Sequence, residues 1–248
     1  MMLNRTDIEF INHFEDASKI FEKNVDIKGG INYFLINKKY NGLCKLNGIK
    51  IKLNKYDILL KTNKYNNLID KIIKLKSIVE IYNSQNYFNI QSNDKRLILN
   101  KTNNNYVKCF VSLKQNKNRI KYIDKKYIHN FFWKIITTST SGSGSNDTFG
   151  FTLIGNPYEV HSKSYISFKI NNYQQAKSLL SYLKCKLANF MLSLRKISKD
   201  ISKETLKWVP LPPLDRIWTD EKVYKYFKLN PYEIKIIKEK KLKGFHNN

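Results

Sequence analysis

Residues 165–170, Tyr-Ile-Ser-Phe-Lys-Ile, lead directly into the strongest helical pattern of the chain. Over residues 173–194, Ala176, Leu179, Leu180, Leu183, Leu187, Phe190, Met191 and Leu194 recur at three- and four-residue steps. The first run is β-branched and aromatic and reads as a strand; the second reads as one long amphipathic helix. A helix with a single apolar stripe must lie on another layer, so the pair demands a sheet with a helix packed on it. Trp208-Val209-Pro210-Leu211-Pro212-Pro213 then excludes a helix and runs extended. Thr219 is a natural N-cap for a helix opening at Asp220-Glu221, and Pro231 suits the first position of a last helix over residues 231–241.

Upstream, residues 3–14 read as a short helix with Ile8, Phe10, Ile11 and Phe14 on one side. Residues 25–36 read as a strand interrupted by Gly29-Gly30. Asn41-Gly42 supplies a turn into a second strand over 43–53, which makes a hairpin. Residues 68–82 carry a helical pattern and 83–105 form a polar, Asn-rich connection. Strands are expected over 106–114, 120–123, 131–138 and 149–154. The fold class is α+β: a small N-terminal α/β piece at residues 1–82, then a β-rich module closed by C-terminal helices at 83–248.

The chain has 45 Lys and Arg against 20 Asp and Glu, a net charge of +25. Such a surface attracts polyanions, and counterion release makes nucleic acid the natural partner. A Lys-, Asn- and Ile-rich composition of the kind an AT-rich genome produces would also raise the charge without any ligand. No apolar run reaches the length of a membrane span, and the first ten residues carry no secretory pattern. Three widely spaced cysteines, Cys44, Cys109 and Cys185, fit neither a disulfide framework nor a zinc cluster, so a reducing cytoplasm is the simplest compartment. The four histidines show no metal-ligand spacing.

Phe21, then Val25-Asp26-Ile27-Lys28-Gly29-Gly30, then Tyr33-Phe34-Leu35, together with the later strand–helix–proline–helix order, carry a resemblance. The chain resembles the C-terminal part of adenine-specific DNA methyltransferases of type II restriction–modification systems, including enzymes that fuse methylation and cleavage. The resemblance implies the tail of a methyltransferase fold followed by a DNA target-recognition domain. It also implies that Met1 aligns to the interior of a longer protein. The cofactor-binding Gly turn and the Asn-Pro-Pro-Tyr-type loop then belong to an upstream half or partner subunit that would hold S-adenosylmethionine. Asn156-Pro157-Tyr158 and Asn230-Pro231-Tyr232 lack the second proline and read as ordinary turn chemistry. This chain alone is therefore expected to hold no cofactor and to be inactive. Two alternatives stay open: a stand-alone specificity subunit for a separate methyltransferase or nuclease, and an unrelated basic RNA-binding protein.

By the resemblance, Phe21 stacks on the extruded adenine; its bland alternative is a core residue. The loop over residues 139–147 is the candidate phosphate contact, through Ser141, Gly142, Ser143 and Gly144, or else an unliganded hairpin. Lys134, Lys163, Arg195 and Lys196 are the candidate DNA-contacting cations. Arg195 could grip phosphate or a guanine edge bidentately, or only complement a helix C-terminus. Trp208 and Trp218 are read as packing anchors.

Overall fold

The computed structural model describes residues 2–14, 17, 20, 21, 30–114, 117–142 and 146–244. The architecture is mixed α+β, with three small sheets and, among the described residues, six α-helices gathered mostly toward the C-terminus. The chain divides into two compact units, Met1–Asn67 and Leu68–Asn248, so the division falls earlier than residue 82.

In the first unit the expected N-terminal helix is a strand. Only Met2–Asn4 makes a 3-10 turn; Ile8–Phe14 is β1, the strand between β2 (Ile31–Ile36) and β3 (Cys44–Leu46). Apolar residues at 8, 10, 11 and 14 fit either period, and long-range pairing on both edges of β1 decides for the strand. β1 is antiparallel to β2 and parallel to β3, so the anticipated hairpin through Asn41-Gly42 does not form. The hairpin lies inside what reads as one strand: Asn47 (φ 48°) and Gly48 (φ 83°) turn β3 into β4 (Ile49–Ile51). Two consecutive positive φ angles are what a tight antiparallel turn requires. Asn47 also fastens β1, its Oδ1 accepting from His13 N–H at 2.7 Å and its Nδ2 donating to His13 O at 3.2 Å. Ile8, Ile11, Cys44, Leu46 and Leu53 make the small core.

In the second unit, α1 (Asn66–Ile72) stops well short of residue 82. Residues 76–78 instead pair with the proline segment: Ile78 N–H donates to Val209 O and Leu211 N–H to Lys76 O. The short β5 (Tyr82–Asn83) follows. β6 (Tyr106–Lys114) and β7 (Lys117–Asp124) form a hairpin, and β10 (Glu159–His161) lies parallel to β6 on its other edge. β8 (Trp133–Thr138), β9 (Thr152–Gly155) and β11 (Tyr165–Ile170) join β5 in an antiparallel sheet ordered β5-β11-β8-β9. Phe110 of the first of these sheets meets Ile136 and Tyr165 of the second.

The helical stretch after β11 breaks in two. α2 (Tyr173–Lys184), capped by the Asn172 side chain, ends where Cys185 takes an extended backbone (φ −69°, ψ 146°), and α3 (Lys186–Arg195) begins. Two polar side chains, buried Asn189 and half-buried Asp220, stabilise the break. Asn189 Nδ2 donates to Leu183 O (2.7 Å) and Cys185 O (3.0 Å), and the Asp220 carboxylate accepts from Lys186 N–H at 2.7 Å. α3 is then buried on every side, which a surface helix with one stripe cannot be. α4 (Lys203–Leu206) follows; α5 (Asp220–Tyr226) carries the expected cap Thr219, and α6 (Pro231–Glu239) opens with Pro231 as expected and is capped by the Asn230 side chain. Trp208 and Trp218 are buried packing anchors as expected. All three cysteines are free and buried. Among the described residues, no helix is long and apolar enough to cross a membrane.

Candidate nucleic-acid interface

The structure separates the candidate cations by burial. Lys134 is fully buried, and its ammonium donates to Asn156 O at 2.8 Å and Glu159 O at 2.7 Å. Desolvation pushes its pKa down to about 7, opposed by the Glu159 carboxylate. An ammonium enclosed in this way does not reach phosphate, which corrects the DNA-contact assignment. Its role is to tie the two ends of the turn between β9 and β10.

Lys196 is corrected for the same reason: it is fully buried and donates to Ser141 O at 2.6 Å. Burial lowers its pKa, against the pull of Asp147 and Asp200. Arg195 is 8% exposed. Its Nε donates to Glu204 O at 2.7 Å and its guanidinium lies 4.9 Å from the centroid of the Trp208 ring. The planar fork is thus used on α4 and Trp208, and neither phosphate nor a base edge can take it.

These corrections give the loop after β8 a definite shape. Ser141 N–H donates to Lys199 O, Ile201 N–H to Ser139 O, and Thr148 N–H to Lys243 O. Gly142 sits at φ +58°, and any side chain on it would collide with Asp147. This is a loop sewn at both described ends, unlike a loose hairpin. Ser143 and Gly144 lie outside the described residues. Lys163 is exposed beside the loop, where Ser139 Oγ donates to its carbonyl, and Lys199 is exposed as well. Of the residues singled out from sequence, Ser141, Gly142, Lys163 and Lys196 therefore come together, with Lys196 as the strut beneath. Lys134 is the second residue of β8 while the loop follows its end, which puts the two about 15 Å apart at the usual rise per residue. Phe21 belongs to the first unit and is 46% exposed, outside the small core of that unit.

A second surface went unread. Around the turn between β9 and β10 and the 3-10 turn Lys125–Tyr127, exposed rings alternate with cations. Phe131 and Tyr158 have ring centroids 5.5 Å apart, and Lys125 Nζ lies 5.2 Å from the Tyr158 centroid. Lys126 Nζ and the Arg96 guanidinium lie 5.1 and 5.3 Å from the Tyr127 ring. Aromatic faces flanked by cations are the equipment with which proteins hold unstacked bases and their phosphates. The available signal was Asn156-Pro157-Tyr158, which as a turn motif places an aromatic residue at a surface apex.

Among the described residues, no group of three His, Cys, Asp or Glu side chains could hold a metal ion. No protein-family model matches the sequence, and comparison with curated proteins and with solved structures returns no significant match.

Proposed function

We propose that this chain is the DNA target-recognition part of a site-specific adenine-N6 DNA methyltransferase of a restriction–modification system. It works in the cytoplasm with a separate half that holds S-adenosylmethionine and the catalytic loop. The observation that carries DNA binding is the surface excess of cations. Were each of the 20 carboxylates to take one of the 45 basic side chains, 25 would remain. Among the described residues, only Lys134, Arg195 and Lys196 are buried cations. The other described cations are exposed or half-buried at the surface, where phosphate is the partner that releases counterions.

The methyltransferase half of the reading rests on the sequence resemblance, and β2 supports it. Tyr33, Phe34, Leu35 and Ile36 are all more than 40% exposed, on both faces of a strand at the end of its sheet. A strand apolar on both faces is what the interior of a larger α/β sheet presents. An open apolar edge is also a template for a further strand. A catalytic half that continues this sheet would cover both.

Selection from a pool of random duplexes tests the reading. A target-recognition module enriches one short sequence over repeated rounds. A polycation with no recognition role enriches none, and that outcome removes the assignment.

A further inference from the structure

We propose that Tyr158, with Phe131 and Lys125 beside it, is a stacking platform for one unpaired nucleobase of DNA. The inference rests on the DNA-binding reading above and assigns it a second contact, distinct from the loop after β8.

A single exposed aromatic is ordinary, so the argument begins with how this one is held. Tyr158 is 58% exposed at the apex of the turn joining β9 to β10. Asn156 Oδ1 accepts from Tyr158 N–H at 2.8 Å, and Glu159 N–H donates to Asn156 O at 3.1 Å. Glu159 Oε2 accepts from Asn156 N–H at 2.9 Å, while its Oε1 pairs with Lys108 Nζ at 3.0 Å. Beneath the turn lies Lys134, donating to Asn156 O and Glu159 O, the carbonyls that bracket Pro157 and Tyr158. Burying an ammonium is costly unless it is well paired. That cost is spent here on fixing a surface turn, which is unexpected if the turn only connects two strands.

The chemistry of the surroundings selects the occupant. Phe131 flanks the Tyr158 ring, and Lys125 holds a cation over it. A base stacks on the ring, and the Lys125 ammonium swings to the adjoining phosphate. A protein partner fits less well, because interface cores are depleted in lysine. Here Lys125 and Lys126 adjoin the rings, and Lys108 serves the same turn.

The test uses the intact chain and two short DNA duplexes of one sequence, one with a single unpaired 2-aminopurine and one fully paired. The wild-type chain should quench the 2-aminopurine fluorescence on binding. Tyr158→Ala should weaken binding to the unpaired-base duplex about tenfold and abolish the quenching, leaving the paired duplex unaffected. Tyr158→Phe should keep both. No effect of Tyr158→Ala, or an equal loss on both duplexes, overturns the platform and leaves DNA binding standing. Tighter binding of the corresponding RNA overturns the assignment to DNA. A wild-type chain that binds neither duplex removes the functional reading and the platform together.

Discussion

Arg195→Lys keeps the charge and changes only the shape of the cation, so it distinguishes a buried structural guanidinium from one that reads DNA. In the structure the guanidinium donates through Nε to Glu204 O at 2.7 Å and stacks 4.9 Å from the Trp208 ring centroid. A hydrogen bond to a charged donor contributes about 1.5–3 kcal/mol, and a desolvated cation–π contact about 2 kcal/mol. The further approach of Nη2 to Glu204 Oε2, at 3.8 Å on a carboxylate two-thirds exposed, adds little. Lysine recovers part of this through its own ammonium, so the expected loss is about 2–3 kcal/mol, since the contributions overlap. Urea unfolding should show it as a lower midpoint at unchanged slope. At about 2–4 °C per kcal/mol for a unit of this size, the melting temperature should fall by roughly 4–12 °C. Affinity and sequence preference for duplex DNA should stay as in the wild type. Unchanged stability with about 1–3 kcal/mol less discrimination at one base pair would refute the reasoning.

Three other outcomes follow from the same contacts. Burial holds the Lys134 pKa near 7 against an ordinary 10.5, so between those values the unfolded chain binds the extra proton. Stability should therefore rise with pH through that window, by up to about 1.4 kcal/mol per pH unit, and Lys134→Met should flatten the rise in pH-dependent urea titrations. Asn189→Ala strands the carbonyl of Leu183 at the helix break, while Cys185 O keeps the residue-189 backbone N–H, and should cost about 1–3 kcal/mol by urea unfolding. Calorimetry with S-adenosylmethionine should give no saturable heat at micromolar concentration, because the proposed function places the Gly-containing cofactor turn in the separate half.

Local signals were legible where one element answers to one rule. β6 and β11 follow from their β-branched and aromatic runs, and α5 and α6 from Thr219 and Pro231. Elements decided by partners were not. Nothing local at Cys185 announces a break, because the groups that stabilise it are Asn189 from the next turn and Asp220 from a distant helix. β1 was read as a helix because its apolar spacing suits both periods until two neighbouring strands are supplied.

The candidate cations are hard to place from sequence for a related reason: in a lysine-rich chain, charge alone does not signal exposure. Lys134 stands inside the run Phe131-Phe132-Trp133-Lys134-Ile135-Ile136, on a strand buried on both faces, and that placement was the warning. Tyr158 was passed over for the opposite reason. The Asn-Pro turn was recognised, but only tertiary contacts reveal that a buried lysine braces it and that its aromatic ring stays in water.

The salt dependence of duplex DNA binding tests most directly whether the surface cations serve nucleic acid. Fluorescence anisotropy over a range of salt concentrations should give a log–log slope of about −4 to −7, for roughly 4–8 phosphates neutralised. A flat response, or no binding at low salt, would contradict the account and leave the net charge of +25 as a matter of composition alone.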